Sequence, residues 1–163
     1  VYLTVIRGTP VMIQILIMFF VIFSNARDGV PVAMLTFGIN SGAYVAEIIR
    51  GGIMAVDAGQ MEAGRAVGLS FATTMMKIVI PQAVKNILPT LGNEFIALIK
   101  ETSVVSFVGA TDLYVAFNYI GTNSYEFMVP YLVMAIIYIL MILVISLGIK
   151  LMERGLKRSD RRS

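Results

Sequence analysis

The 163 residues include no cysteine, no histidine and no tryptophan. Without cysteine there are no disulfides, no thiolate metal ligands and no cysteine nucleophile. Without histidine the commonest neutral-pH base and metal ligand is missing as well. Any aromatic belt at a membrane–water boundary must come from the seven tyrosines. Charge is also scarce, at 14% of residues with a net value of +3. The sequence has no phosphate-cradling G-x-x-x-x-G-K-[ST], so its glycines belong to helices and turns and form no nucleotide loop. No charged n-region precedes a cleavage site, and the chain begins at Val1 without Met, which points to a longer protein.

What remains is apolar. Hydrophobic residues make up 58% and the mean hydropathy is +0.84, too high for an ordinary soluble domain. The expected class is an all-α polytopic membrane protein.

One stretch breaks that character, Asp57 to Pro81, DAGQMEAGRAVGLSFATTMMKIVIP. Asp57 suits the N-cap of a helix, with Gln60 three residues on as its capping-box partner. Gly68 supplies a C-terminal stop, and Ser70 caps a second helix running to Pro81. The first helix would be short, exposed and small on one face, with Ala63, Gly64 and Ala66 permitting close approach by another surface. A plain connecting loop needs none of this. Spacing alone leaves two readings, a docking element for another protein and an interfacial helix lying on lipid.

Around this island the chain divides into four expected spans, at about 5–24, 32–50, 86–108 and 127–151, with a loop at 51–85 and a basic tail at 156–163. Thr9 and Pro10 suit the start of the first helix, whose polar exception is Gln14. Arg27, Asp28 and Gly29 read as a turn on the far side. The second span has a small, polar face of Asn40, Ser41, Gly42, Ala43 and Ala46, of the kind that packs against other helices in lipid. Glu47 and Arg50 mark its boundary, where such charges snorkel to water. The third span carries Asn93, Glu94, Lys100 and Glu101. Seven residues are nearly two helical turns, so Glu94 shares a face with Glu101, and Asn93 with Lys100. Charges at that depth are costly and should face a cavity or another subunit. Packing by a Lys100–Glu101 pairing and a role in transport are both open.

Orientation follows from the positives. Placing the tail in the cytoplasm puts Arg7, Arg50, Arg65, Lys77 and Lys85 on the same side and leaves Arg27 outside. The tail residues Arg154, Lys157, Arg158, Arg161 and Arg162 then serve topology and anionic lipid, and no nucleic-acid role is expected.

The ordered segments RGTPVMIQ, AYVAEIIRGGI, GQMEAGRAVGLS and IVIPQAVKNILPTLGNEFIALIKETSV resemble the membrane permease subunit of an ABC importer. The resemblance is closest to the polar amino-acid uptake family (histidine, glutamine/glutamate, arginine, opines) and runs from Tyr2 to about Gly155. It implies a type I ABC importer transmembrane fold in a prokaryotic cell membrane, with the island as the cytoplasmic EAA loop. The loop's short coupling helix would dock on an ATP-binding subunit, and Gln60, Glu62, Ala63, Gly64, Arg65 and Gly68 are the coupling candidates. Ile78 and Pro81 close the motif. Gly64 stands where the family more usually has a second Ala, and is read as keeping the small docking surface at ~1 kcal/mol of helix propensity. The family also has a first transmembrane helix that this sequence lacks, which would make five spans.

The resemblance further implies a second permease subunit, identical or homologous, and an extracytoplasmic binding protein or fused binding domain. ATP and Mg would be bound by the partner ATPase and no cofactor by this chain, which is expected to be a transport subunit and not an enzyme. Asn93 and Glu94 are the first candidates for the substrate pathway, with Lys100 and Glu101 second. The competing readings are a permease for another small polar solute and a channel or anchor module outside the ABC class.

Overall fold

The computed structural model describes residues 1–160, with side chains described through Gly155. Every regular element among them is helical: α1 (Tyr2–Arg7), α2 (Val11–Ile17), α3 (Gly29–Met54), α4 (Ala58–Ala66), α5 (Phe71–Thr74), α6 (Ile80–Glu101), α7 (Leu113–Ser124) and α8 (Met128–Asp160). A π turn at Met18–Ile22 extends α2, another at Met75–Val79 joins α5 to α6, and a 3₁₀ turn at Thr102–Val108 extends α6. The chain forms two compact units, Val1–Tyr44 with Phe95–Ser146, and Val45–Glu94 with the segment from Leu147 onward.

The first unit is built on an apolar cluster of Ile15, Ala33, Phe37 and Val108, with Val11, Phe19, Leu98, Val104 and Val105 packed against it. Gly29 opens α3 directly over the Val108 carbonyl, so close that a side chain there would collide with backbone. The expected first span is interrupted. Pro10 lies in an extended conformation (φ −60°, ψ 135°) and is itself the N-cap of α2, so α1 and α2 cannot merge. Thr9 does not cap α2. Its hydroxyl donates instead to the Val5 carbonyl at 2.9 Å. The helical stretch Val11–Ile22 therefore reaches only ~18 Å along its own axis.

The second unit holds the island. Here Gly52 on α3 packs on Ile87 of α6, and Gly92 of α6 packs on Ile149 of α8. In both places the missing Cβ lets two helices approach closely, as small residues do in membrane interfaces. The helix starting at Ser70 does not end at Pro81. Helical structure continues from Phe71 to Val108, through both Pro81 and Pro89. A proline lacks the N–H that would bond one turn back, and its ring crowds the carbonyl there. The π turn immediately before Pro81 widens the helix at that point, which is how such turns absorb a disrupted ladder.

Among the described residues two helices are long and apolar enough to cross a bilayer, Gly29–Met54 and Met128–Gly155. A third crossing arises if Phe71–Val108 and Leu113–Ser124, bent by 59°, act as one broken span. No residue in the most apolar window of α8 is buried, and Leu132, Ile136, Leu140, Leu143 and Val144 are exposed, a surface suited to lipid or other helices and not to water. Its helix continues past Leu151 to Asp160, into the expected tail, because nothing in that stretch stops it. Arg161 and Arg162 lie outside the described residues, as do the side chains of Lys157 and Arg158.

Candidate functional site

The island folds as its capping residues dictate. Asp57 Oδ1 accepts from the Gly59 N–H at 2.6 Å and starts α4. At the other end Gly68 has φ +87°, its N–H donates to the Arg65 carbonyl, and the Leu69 N–H donates to the Gly64 carbonyl. This left-handed cap satisfies the last carbonyls of α4 and suits glycine best. Ser70 then caps α5, its Oγ accepting from the Thr73 N–H at 3.2 Å. Two helices thus meet across a turn of four residues, 67–70, and pack on each other.

The faces of α4 divide the coupling candidates. Glu62, Ala63 and Arg65 are exposed. Gln60 is exposed too, but the expected capping box with Asp57 does not form: the Gln60 Oε1 accepts from Gln82 Nε2 at 3.2 Å, across to α6, and Asp57 caps through the Gly59 N–H. Gly64 is the correction. It is buried and faces Thr74 of α5, which is fully buried itself. A Cβ at Gly64 would overlap Thr74 Cγ2 and sit 2.9 Å from its Oγ1. Gly64 therefore belongs to the seat of α4 within the chain, and its small size serves that seat and not an outer groove.

On α6, Glu94 is half-buried, two turns beyond the buried Ile87 and on the same face. Asn93 is exposed. Lys100 and Glu101 are also exposed and belong to the first unit, at the point where α6 tightens into its 3₁₀ turn. The change of helix type ends the shared Glu94–Glu101 face at Glu101. Glu47 and Arg50 form a two-pronged ion pair, 2.8 and 2.9 Å, and Arg50 Nη1 also reaches Met54 Sδ. They are partners within α3. Among the described residues no group of three or more Asp and Glu side chains is placed to hold a metal ion.

This arrangement has close counterparts. Residues 1–158 match the family described as binding-protein-dependent transport system inner membrane component. The chain belongs to that family. A putative glutamine transport system permease of Rickettsia bellii is 38% identical over 160 residues, covering 95% of this chain and 72% of the relative. An arginine transport system permease of Bacillus subtilis is 36% identical over 162 residues, covering 98% and 74%. The crystal structure of an amino acid ABC transporter with histidines contains a chain that is 44% identical, with a TM-score of 0.88, covering 94% of this chain and 73% of that one. The fold is therefore that of a type I ABC importer transmembrane subunit, and the chain is a membrane-embedded transport component.

Three residues of this permease that carry its geometry were not singled out for it by sequence reasoning. Thr74 and Gln82 fasten α4 from α5 and α6, and Gln14 does similar work in the first unit. Gln14 Nε2 donates to the Ile6 carbonyl at 2.7 Å and to Thr9, while its Oε1 accepts from the buried Asn40 at 3.0 Å. It thereby closes the break at Gly8–Pro10 and ties it to α3. Tyr2 adds a hydroxyl bond to the Ile39 carbonyl at 2.6 Å, and the Arg7 guanidinium lies 5.2 Å over the Tyr44 ring. Gln14 stood out as the polar exception in an apolar run, but nothing in the sequence named Asn40 as its partner.

Proposed function

We propose that this chain is the membrane-spanning permease subunit of an ATP-driven importer of polar amino acids. The observation that carries the reading is α4, a short helix capped at both ends, seated from behind and presenting Glu62, Ala63 and Arg65 outward. The relatives named for glutamine and arginine transport support the substrate class. Two permease subunits would enclose the pathway, and two cytoplasmic ATP-binding subunits would receive the α4 helices and hold ATP and Mg. An extracytoplasmic binding protein or fused binding domain would deliver the amino acid. Closure of the ATPases then moves α4, and the spans rock between inward- and outward-facing states. The distribution of positive residues supports an orientation with α4, Arg50 and the C-terminus in the cytoplasm and Arg27 outside.

For the pathway, Glu94 and Asn93 are the leading residues, with Lys100 and Glu101 in the second rank. A zwitterion needs a carboxylate near its ammonium and donors near its own carboxylate, and α6 carries both kinds of group. The absence of native cysteine makes a direct test simple. Ala63→Cys, in complex with an ATP-binding subunit bearing one cysteine in its groove, is expected to cross-link efficiently and with a yield that changes on adding ATP. An assembled complex in which Ala63→Cys reacts only with lipid-phase reagents would favour the interfacial-helix alternative and remove the docking role.

A further inference from the structure

We infer that Gln82 is the positioning residue that carries movement of α4 into α6, a role that rests on the docking function proposed above. Within the second unit the helix from Phe71 onward changes type at one place, although Pro89 also lacks a ladder N–H further along. The π turn Met75–Val79 has its backbone bonds displaced by one residue, and Pro81 offers no N–H to the ladder beyond it. A helix bends most easily at such a point. A push delivered to α5 alone would therefore be absorbed at the π turn before it reached α6.

α4 is fastened on both sides of this weak point. On the near side Gly64 sits against Thr74, whose Oγ1 donates to the Ser70 carbonyl at 3.0 Å and whose side chain is fully buried. On the far side Gln60 accepts from Gln82. The Gln82 amide has two N–H groups and uses both, one to Gln60 Oε1 at 3.2 Å and one to the Ile78 carbonyl at 3.0 Å. The bond to Ile78 reaches back past Pro81 into the π turn and supplies a side-chain link where the backbone ladder is disturbed. It also fixes which way the amide faces, since a carbonyl must be met by a donor. One side chain thus joins α4, the π turn and α6, and α6 carries Asn93 and Glu94 about three turns further on.

The two partners differ in what they can lose. Gln60 contributes an acceptor, which Glu would keep. Gln82 contributes two donors, which Leu would remove. In the full importer reconstituted in liposomes, Gln82→Leu and Gln60→Leu are expected to lower the amino acid taken up per ATP hydrolysed roughly 2- to 10-fold, the range a single hydrogen bond can shift an equilibrium. Thermal stability should hold in Gln60→Leu, which alters an exposed side chain, and Gln60→Glu should retain coupling. A ratio unchanged in Gln60→Leu, or lowered equally in Gln60→Glu, would overturn the role. Amide exchange across residues 75–82 of the purified full-length protein decides the matter separately from transport. Gln60→Leu should speed exchange there by a similar factor, and unchanged exchange would overturn the clamp. A wild-type complex that ignores amino acids while Gln60→Leu still loosens this segment would instead count against the importer reading and leave the clamp supported.

Discussion

Gly64→Ala is expected to destabilise the permease, although alanine favours helix over glycine by about 1 kcal/mol. The added Cβ would overlap Thr74 Cγ2 and lie 2.9 Å from Oγ1 and 3.2 Å from Cβ. Rotating Thr74 does not relieve this, because its Cβ stays where it is and its hydroxyl is bonded to the Ser70 carbonyl. Overpacking of this kind costs about 1–3 kcal/mol, which outweighs the gain in propensity. α4 must then lift from α5 or shift along it, and uptake should fall with stability. Thr74→Ala removes two of the three crowding atoms, so the double variant should recover much of the loss. Thermal unfolding of the purified protein in detergent reads both effects. Gly64→Ala matching or exceeding the wild type would show that α4 has no such seat.

Glu94→Gln is expected to abolish or strongly weaken amino-acid-dependent transport while leaving the complex assembled. The amide keeps the shape of the side chain and one acceptor but loses the charge that an ammonium group would meet. A hydrogen bond to a charged group is worth about 1.5–3 kcal/mol, so the half-saturating amino-acid concentration should rise roughly 10- to 100-fold. Co-purification with the ATP-binding subunits separates this from a packing defect. If assembly fails in Glu94→Gln, the residue is a packing group on the buried face of α6 and the pathway assignment moves to other residues.

Much of this molecule was legible as sequence because its signals are local. Asp57, Gly68 and Ser70 act within a turn of their own positions, and each caps the helix end its residue type suits. The ordered segments from Arg7 to Val104 are long enough that their family resemblance could be read directly. The inward turn of Gly64 was not legible, because a glycine has no side chain from which to judge a face, and its partner Thr74 is a polar residue in an exposed-looking stretch. Pro81 signals a stop, yet the helix continues through it just beyond the π turn. At Gly8–Pro10 the reverse holds. Apolar residues on both sides invite one long span, yet the extended Pro10 divides it. Gln14 and Asn40 are 26 residues apart, and no periodicity links residues brought together by tertiary packing.

The central claim is that this chain couples a cytoplasmic ATPase to amino-acid import. Its most direct test is ATP hydrolysis by the full-length permease in liposomes, together with its ATP-binding subunit and its binding protein, against a panel of amino acids. Stimulation by one polar amino acid, with matching uptake, is the predicted result. A complex that assembles and hydrolyses ATP but responds to no amino acid would contradict the substrate class. A permease that associates with no ATP-binding subunit would contradict the coupling role of α4 itself.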